Sequence, residues 1–395
     1  MGNISDKLTY LLATKEAIKD AIVAKGGTVA NETPFRGYAE CISELPTGGG
    51  GGEEIPAEML KITGTGSYRF YMGGWDSFIE YFGNRITTEN LQTTSNMFNN
   101  CQKLEEIPFE LNYITASANA GIDLNNMFYQ CFKLKQIPKF NNCKPSAMNS
   151  IFNGCSAIQA YPEDIDEWFD WSYIDNLTST SYGSMANIFT GNRSLRKLPI
   201  KMLQHGNPQG PYTASIYYYL CNNCYLLDEI KDIPFPHYKS TWTSNTFSSA
   251  FAACYRAKDI TFALQEDGTP YTAKWKSQTI TLTSLIGYTG TESNVTGYGI
   301  SKDKKVTNDA TYQALKNDPD WFTTDVNYSR YNHDSAVNTI NSLPDTSAYL
   351  ATAGGTNTIK FNKNSGAKTD GGAISNLTAE EIAVATAKGW TVTLS

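Results

Sequence analysis

The stretch MFNNCQKLEEIP at Met97–Pro108 returns thirty residues later as MFYQCFKLKQIP at Met127–Pro138. Each copy places an aromatic residue, a cysteine, a leucine and an Ile-Pro pair at the same offsets. A pattern that recurs every 20–50 residues or so is the sequence sign of a repeat protein, in which neighbouring units bury one another's apolar faces. The stretch therefore predicts a stacked array rather than one closed core.

Six copies of this pattern align along the chain. Their defining slots are Phe98, Cys101 and Leu104; Phe128, Cys131 and Leu134; Phe152, Cys155 and Ile158; Phe189, Asn192 and Leu195; Cys221, Cys224 and Leu227; and Phe251, Cys254 and Ala257. The start-to-start spacing varies from 24 residues, between 127 and 151, to 37 residues, between 151 and 188. Because a solenoid tolerates unequal loops on a constant unit, the predicted fold class is α/β, an irregular repeat solenoid.

Within one copy, two local patterns follow each other. Leu124, Met127, Phe128 and Cys131 have the three–four spacing that predicts one buried helical face. The KLKQIP segment then alternates like a strand that ends at its proline. Since neighbouring units pack about 8–10 Å apart and a disulfide needs Cα atoms within about 7 Å, the slot cysteines are expected to be buried free thiols. The asparagine at 192 indicates a small, weakly polar slot that faces backbone groups.

Motifs for catalysis or metal binding are missing from the sequence. CNNC at Cys221–Cys224 has a zinc-like spacing, but no second pair accompanies it and the chain has only three histidines. No Ser/His/Asp spacing, phosphate-binding glycine loop or HExxH is found. The acidic insert EDIDEWFDW at Glu163–Trp171 leaves a glycan-cleaving enzyme open as an alternative, through Asp164, Asp166 and Glu167. The leading expectation is a protein that is not an enzyme and needs no cofactor or metal.

The first 47 residues read as a small helical module. Leu8, Leu11, Ile18 and Ile22 follow the seam of a short coiled coil. Two interpretations remain open: a two-helix hairpin that buries its own apolar faces, or an anchor that docks or self-associates. Because so short a unit rarely stands alone, residues 1–47 are predicted to be an anchor and a homo-oligomerisation module. Residues 48–53, which contain GGGGG, are the predicted linker.

The remainder divides into three predicted parts. Residues 54–92 form an N-terminal cap, residues 93–345 the solenoid with insertions, and residues 346–395 a C-terminal cap. Within the last part, Thr358–Phe361 and Trp390–Leu394 alternate like strands, and Thr378 with Glu381 predicts a capped helix start. A solenoid needs such a cap to cover its last open face.

Composition limits the partners. The formal net charge is −7 and only 18% of residues are charged, so no nucleic-acid binding is expected. No run of 18 apolar residues occurs, and the sequence therefore predicts no membrane insertion. The first residues lack a basic region followed by an apolar core, so they are not expected to act as a secretory signal.

The candidate binding residues lie between the apolar slots of the repeat strands or in the inserts. They are Glu105, Lys135, Arg196, Lys197, Asp228 and Trp242. Two interpretations again remain: a ladder of salt-bridged, solvated side chains, or a surface that recognises a partner. Tryptophan is included because exposed aromatic residues bind sugars and proteins well.

Two resemblances bear on function. Phe-x-x-Cys-x-x-Leu-x-x-Ile-Pro resembles the core of BspA-like leucine-rich repeats over roughly 97–260. The segment from Ser5 to Leu45, and the closing segment with NLTAEEIAVATAKGWTVTL, are similar to parts of bacteriophage virion proteins. The resemblance implies a virion component, exposed on the particle, whose partners are other capsid or tail proteins and possible host surface glycans or proteins. It implies no catalytic residues.

The expected function is that of a tail-fibre or receptor-binding type of structural protein, attached by its N-terminus. A capsid decoration or head-fibre protein is the first alternative. A bacterial BspA-like surface adhesin is the second.

Overall fold

We describe the fold from a computed structural model of the chain. It describes residues 60–63, 86–114, 121–176, 185–205, 217–234, 241–243, 245–283, 285, 329–367 and 369–395, and, near the N-terminus, residues 12, 15, 16, 18–23, 27–30, 33 and 38. The chain forms two compact units, Met1–Met59 and Leu60–Ser395. The predicted linker and most of the predicted N-terminal cap lie outside the described residues.

Short strands that pair in parallel make up the sheets of the larger unit. The strands are β1 (Leu60–Thr63), β2 (Ile86–Glu89), β3 (Leu111–Asn112), β4 (Ile122–Asp123), β5 (Phe140–Asn141), β6 (Pro145–Ala147), β7 (Glu229–Ile233), β8 (Thr241–Trp242), β9 (Asp259–Phe262), β10 (Lys274–Trp275), β11 (Thr279–Leu282), β12 (Asn357–Phe361) and β13 (Trp390–Leu394). The parallel neighbours are β1–β2, β3–β5, β4–β6, β7–β9, β8–β10 and β11–β12–β13. The α-helices among the described residues of this unit are α1 (Ser172–Asp175), α2 (His333–Ser342), α3 (Ser347–Ala353) and α4 (Ala379–Ala387).

The cysteine-bearing segment of each repeat is built from tight turns, and the predicted helical face is wrong in this detail. In the first repeat Asn96 and Asn100 both take left-handed backbone angles, with φ of 60° and 62°. The same pair of left-handed positions, four residues apart, recurs at 126 and 130, 150 and 154, 187 and 191, 219 and 223, and 249 and 253. Most of these residues are Asn or Gly, which tolerate this region best.

Backbone hydrogen bonds in these turns alternate between local and neighbouring partners. The N–H of Met97 donates to the carbonyl of Thr94 at 2.9 Å, which closes a turn. The N–H of Phe98 donates to the carbonyl of Met127 in the next repeat, also at 2.9 Å. The same alternation links each repeat to the one that follows it in the chain, so the six units lie side by side in sequence order. Every second donor is thereby satisfied outside its own unit, which a helix would not allow.

A column of phenylalanine rings runs through the core of this array. Phe98 and Phe128 stack with ring centroids 5.4 Å apart, Phe128 and Phe152 at 5.9 Å, and Phe152 and Phe189 at 6.1 Å. All four side chains are fully buried. Each ring covers the next, so no repeat could keep this surface from water by itself.

The cysteine slot donates a hydrogen bond to the preceding unit. Cys131 Sγ lies 3.0 Å from the carbonyl oxygen of Phe98, and Cys155 Sγ lies 3.3 Å from that of Phe128. Asn192 performs the same task with its amide, at 2.9 Å from the carbonyl oxygen of Phe152. The described cysteines, at 101, 131, 143, 155, 221, 224 and 254, are buried, and no disulfide joins any two of them.

Helix α2 closes the last open strand edge, that of β9. Three of its side chains supply the polar groups that another strand would otherwise provide. Ser335 Oγ donates to the carbonyl of Lys258, Thr339 Oγ1 donates to that of Ile260, and the N–H of Phe262 donates to Ser342 Oγ. The closing structure therefore begins at His333, before residue 346 where the sequence placed the start of the cap.

The rest of the C-terminal region packs behind α2. Thr378 and Glu381 form the capping box expected at the start of α4. The chain turns at Gly389, which has a φ of 83°. β13 then pairs with β12, which pairs with β11, so the chain end is joined to the strand that leads out of the array.

In the N-terminal unit, residues 18–23 are helical. Ile22 is buried against Val29 and Tyr38, and Ile18 packs on the same cluster. These two seam residues thus contact their own chain, as the hairpin interpretation requires, while Leu8 and Leu11 lie outside the described residues. Self-association of this unit stays a prediction.

Candidate functional site

A charged groove lies where the strands of the fourth, fifth and sixth repeats run side by side. The N–H of Asp228 donates to the carbonyl of Arg196 at 3.3 Å, and the N–H of Lys258 donates to that of Asp228 at 2.9 Å. Lys197 pairs with Glu229 in a parallel bridge. This register brings together side chains that lie about thirty residues apart in the chain, because parallel neighbours stack equivalent positions.

Two arginines hold Asp228 at the centre of the groove. Arg256 Nε lies 2.9 Å from its Oδ1 atom, and Arg330 Nη1 lies 3.0 Å from the same atom. Arg330 comes from the segment before α2, 102 residues further along the chain. Because two guanidinium groups surround one carboxylate, this point of the groove retains a positive charge.

A second ion-pair network lies beside it. Glu229 is paired with Lys258 at 2.8 Å and with Lys231 at 3.3 Å. The hydrogen bond from Lys258, helped by Lys231, lowers the pKa of Glu229 although its partial burial opposes the shift. The hydrogen bond with Glu229 raises the pKa of Lys231, so both groups stay ionised near neutral pH.

Arg196 and Lys197 differ from these residues. Both side chains are exposed, and neither forms an ion pair or a side-chain hydrogen bond with any residue in the part of the chain that the structure describes. Only their backbones are fixed, by the strand pairing above. They therefore present two cations at the rim without an internal counter-charge.

The groove has a volume of about 580 Å³, within the range of small-ligand sites. Its cations outnumber its carboxylates two to one, in a protein whose net charge is −7. The cations are Arg196, Lys197, Lys231, Arg256, Lys258 and Arg330, and the carboxylates are Asp228, Glu229 and Asp232. Leu198 and Ile200 supply an apolar part of the wall.

The predicted binding residues separate into three groups. Arg196, Lys197 and Asp228 come together in the groove. Glu105 and Lys135 lie in the first and second repeats, where they form an exposed ion pair of 2.6 Å. That bond is the main cause of the lowered pKa of Glu105. This pair matches the interpretation of a solvated ladder, whereas the fourth to sixth repeats form a concave surface.

The prediction that Trp242 lies on a binding surface is wrong. Its side chain is only 3% exposed, so it does not belong to a binding surface. Its ring stacks on Trp275 at 4.3 Å and contacts Tyr217 and Phe247 edge-on. The polar sequence around it, STWTSNTF, hid the fact that β8 places this ring in the core.

The acidic insert uses its carboxylates for local structure. His205 Nδ1 lies 2.8 Å from Asp175 and Nε2 lies 3.3 Å from Asp166, while the imidazole stacks on Trp171 at 4.3 Å. Asp164 accepts a hydrogen bond from Trp168 Nε1. The Nδ1 atom is thus hydrogen bonded to one carboxylate, and Nε2 lies within ion-pair distance of another. Within the described ranges, no group of three or more His, Cys, Asp or Glu side chains is arranged to hold a metal ion.

Sequence reasoning missed half of the groove. Lys231 and Arg256 lie close to the apolar slots of their repeats but outside the two positions taken as the strand face. Arg330 lies beyond the last repeat, in a segment with no pattern of its own. The one signal available was local: charged residues are concentrated around the strands of the fifth and sixth repeats.

The comparisons leave the family open: no protein-family model, no curated protein and no solved structure matches this chain. No helix among the described residues has both the length and the apolar character needed to cross a membrane.

Proposed function

We propose that the chain is a structural protein of a bacteriophage particle, attached through its N-terminal unit and exposing its repeat array to a host surface or to other virion proteins. The observation that carries this proposal is the division into two compact units, Met1–Met59 and Leu60–Ser395. Five consecutive glycines, Gly48–Gly52, stand close to the boundary. A small association-prone module tethered to a rigid array suits a protein that is held at one end and binds at the other.

The groove supports the binding half of the proposal. It combines two cations without an ion pair, Arg196 and Lys197, with two paired carboxylates, Asp228 and Glu229, and an apolar wall in one concavity. The ion pairs hold Asp228 and Glu229 in place before a ligand binds, so these two side chains lose little conformational freedom on binding. A fibre of the tail and a fibre or decoration of the head are equally compatible with these features.

The test of attachment compares full-length protein with a chain that lacks residues 1–47. Each is supplied to particles assembled without the native protein, and the purified particles are examined by quantitative mass spectrometry. Only the full-length protein is expected to co-purify. Circular dichroism serves as the control and must show that the truncated chain is folded. Incorporation of the truncated chain at the full-length level would contradict the proposal.

A second measurement addresses self-association. Light scattering of the full chain and of residues 53–395 gives their molar masses in solution. An oligomeric full chain beside a monomeric fragment is expected if the seam of Leu8, Leu11, Ile18 and Ile22 joins copies of the chain. If both the full chain and the fragment are monomeric, the N-terminal unit is expected to bind a different virion protein instead.

A further inference from the structure

We propose that the groove of the fourth to sixth repeats binds a carboxylate-bearing oligosaccharide, such as a chain of sugar acids. This inference rests on the proposed attachment role, because it names the chemistry that the exposed array would recognise. It is carried by the two cations without internal partners, Arg196 and Lys197, which lie beside a network in which Asp228 and Glu229 are already paired.

Charge first selects an anionic ligand. Arg196 and Lys197 lie next to each other at the rim, both exposed and both without an ion pair among the described residues. An arginine can bind a carboxylate through two parallel hydrogen bonds, and a neighbouring lysine adds a point charge. Asp228 cannot neutralise them, because Arg256 and Arg330 already hold it.

Charge density then excludes a nucleic acid. The chain as a whole carries a net charge of −7, and the groove contains three carboxylates of its own. A strand with one phosphate per nucleotide would meet these carboxylates as well as the cations. A sugar acid carries one carboxylate among several hydroxyl groups, and those hydroxyls donate to carboxylates such as Asp228 and Glu229. The mixture of charges in the groove fits that pattern.

The size of the groove also fits an oligosaccharide ligand. A volume of about 580 Å³ holds a few sugar rings and is too small for a folded partner. Leu198 and Ile200 provide apolar contact for the C–H faces of a ring. An acidic peptide is the main competitor, since it also brings carboxylates, but its side chains have few hydroxyl donors for the carboxylates of the groove.

The experiment is calorimetric titration of the purified full-length protein at low salt. The probe is trigalacturonate, and its fully methyl-esterified form is the matched control, with the same rings and no charge. Hexaglutamate tests the peptide alternative. We expect trigalacturonate to bind at least about tenfold more tightly than either, and to weaken as salt rises, because the Debye length falls from about 10 Å at 0.1 M to about 3 Å at 1 M.

Two variants locate the site. Arg196→Gln and Lys197→Gln should each weaken trigalacturonate binding by roughly tenfold, the effect of losing one charge-assisted hydrogen bond. Lys133→Gln removes an equally exposed cation from the second repeat and should leave the affinity unchanged. Circular dichroism checks that all three variants are folded.

The following results would overturn the inference: no binding of trigalacturonate, equal binding of its methyl ester, tighter binding of hexaglutamate, or equal losses in Lys133→Gln and the groove variants. Because the assay uses purified protein, such a result would leave attachment to the particle untouched. Conversely, if the truncated chain joined particles as well as the full-length protein does, the attachment proposal would fail but the result of this titration would stand.

Discussion

Restoring the repeat pattern at its one exception should weaken the protein. Asn192 occupies the slot that holds cysteine in the neighbouring units, so Asn192→Cys looks like a consensus substitution. Asn192 is fully buried, and its side chain both donates and accepts hydrogen bonds. The amide Nδ2 donates to the carbonyl of Phe152 at 2.9 Å, and Oδ1 accepts the hydroxyl of Tyr161 at 3.0 Å.

The magnitude follows from what a thiol can replace. A cysteine at 192 would still donate to Phe152, as Cys155 does to Phe128. It would give the Tyr161 hydroxyl only a weak acceptor. Burial raises the pKa of Tyr161 well above its usual value, so the phenol stays protonated and needs that acceptor. Leaving a buried polar group unsatisfied costs about 1–3 kcal/mol, and we expect the free energy of unfolding to fall by that amount.

A double-mutant cycle tests the reasoning. Urea unfolding of the full chain, followed by tryptophan fluorescence under reducing conditions, compares wild type with Asn192→Cys, Tyr161→Phe and the double variant. Each single change leaves one buried group unpaired, whereas the double change removes both. The double variant should therefore be more stable than the sum of the single effects predicts, by at least about 1 kcal/mol. Additive effects, or an Asn192→Cys protein as stable as wild type, would refute this account.

Three further predictions concern the sixth repeat and helix α2, which covers the array. Ala253 has a left-handed backbone with φ of 57°, so Ala253→Gly should raise the melting temperature by relieving about 1 kcal/mol of strain; an unchanged value would contradict it. Thr339→Val removes the hydroxyl that donates to Ile260, and should lower the free energy of unfolding by about 1–3 kcal/mol in urea titrations, whereas Thr339→Ser should lower it less. Burial opposes protonation of His333, but hydrogen bonds with Asp334 and Glu381 outweigh it and raise its pKa. The charged histidine therefore stabilises the fold below about pH 6.5 and this stability is lost as pH rises through the folded-state pKa, so His333→Gln should lower the melting temperature more at pH 5.5 than at pH 8.

The buried slots could be predicted because apolar periodicity records burial directly. Phe98, Cys101 and Leu104 are all fully buried, as their recurrence indicated. The local conformation could not be predicted in the same way, because the spacing of Met127, Phe128 and Cys131 fits both a helix and a pair of tight turns. Most of the left-handed positions hold asparagine or glycine, and left-handed residues four positions apart leave no continuous helix.

The candidate site was only partly accessible to sequence reasoning. Arg196, Lys197 and Asp228 could be named because they lie between apolar slots, and strand register then brings them together. The contribution of Arg330 depends on where the chain returns after the array, which no local pattern records. The prediction for Trp242 failed because polar neighbours in the sequence say nothing about the aromatic rings that surround it in space.

The way α2 covers β9 has a consequence for the length of the array. Its three hydrogen bonds address only main-chain atoms, the carbonyls of Lys258 and Ile260 and the N–H of Phe262. Any repeat that ends in the same backbone geometry offers the same groups, whatever its side chains. Units could therefore be gained or lost within the array while the same helix closes it. A chain with residues 127–150 duplicated is expected to fold and to keep the oligomeric state of the unmodified chain, and each added unit moves the groove about 4.8 Å further from the N-terminal strands. The distance between the N-terminal strands and the groove could then change without any change in what the groove binds.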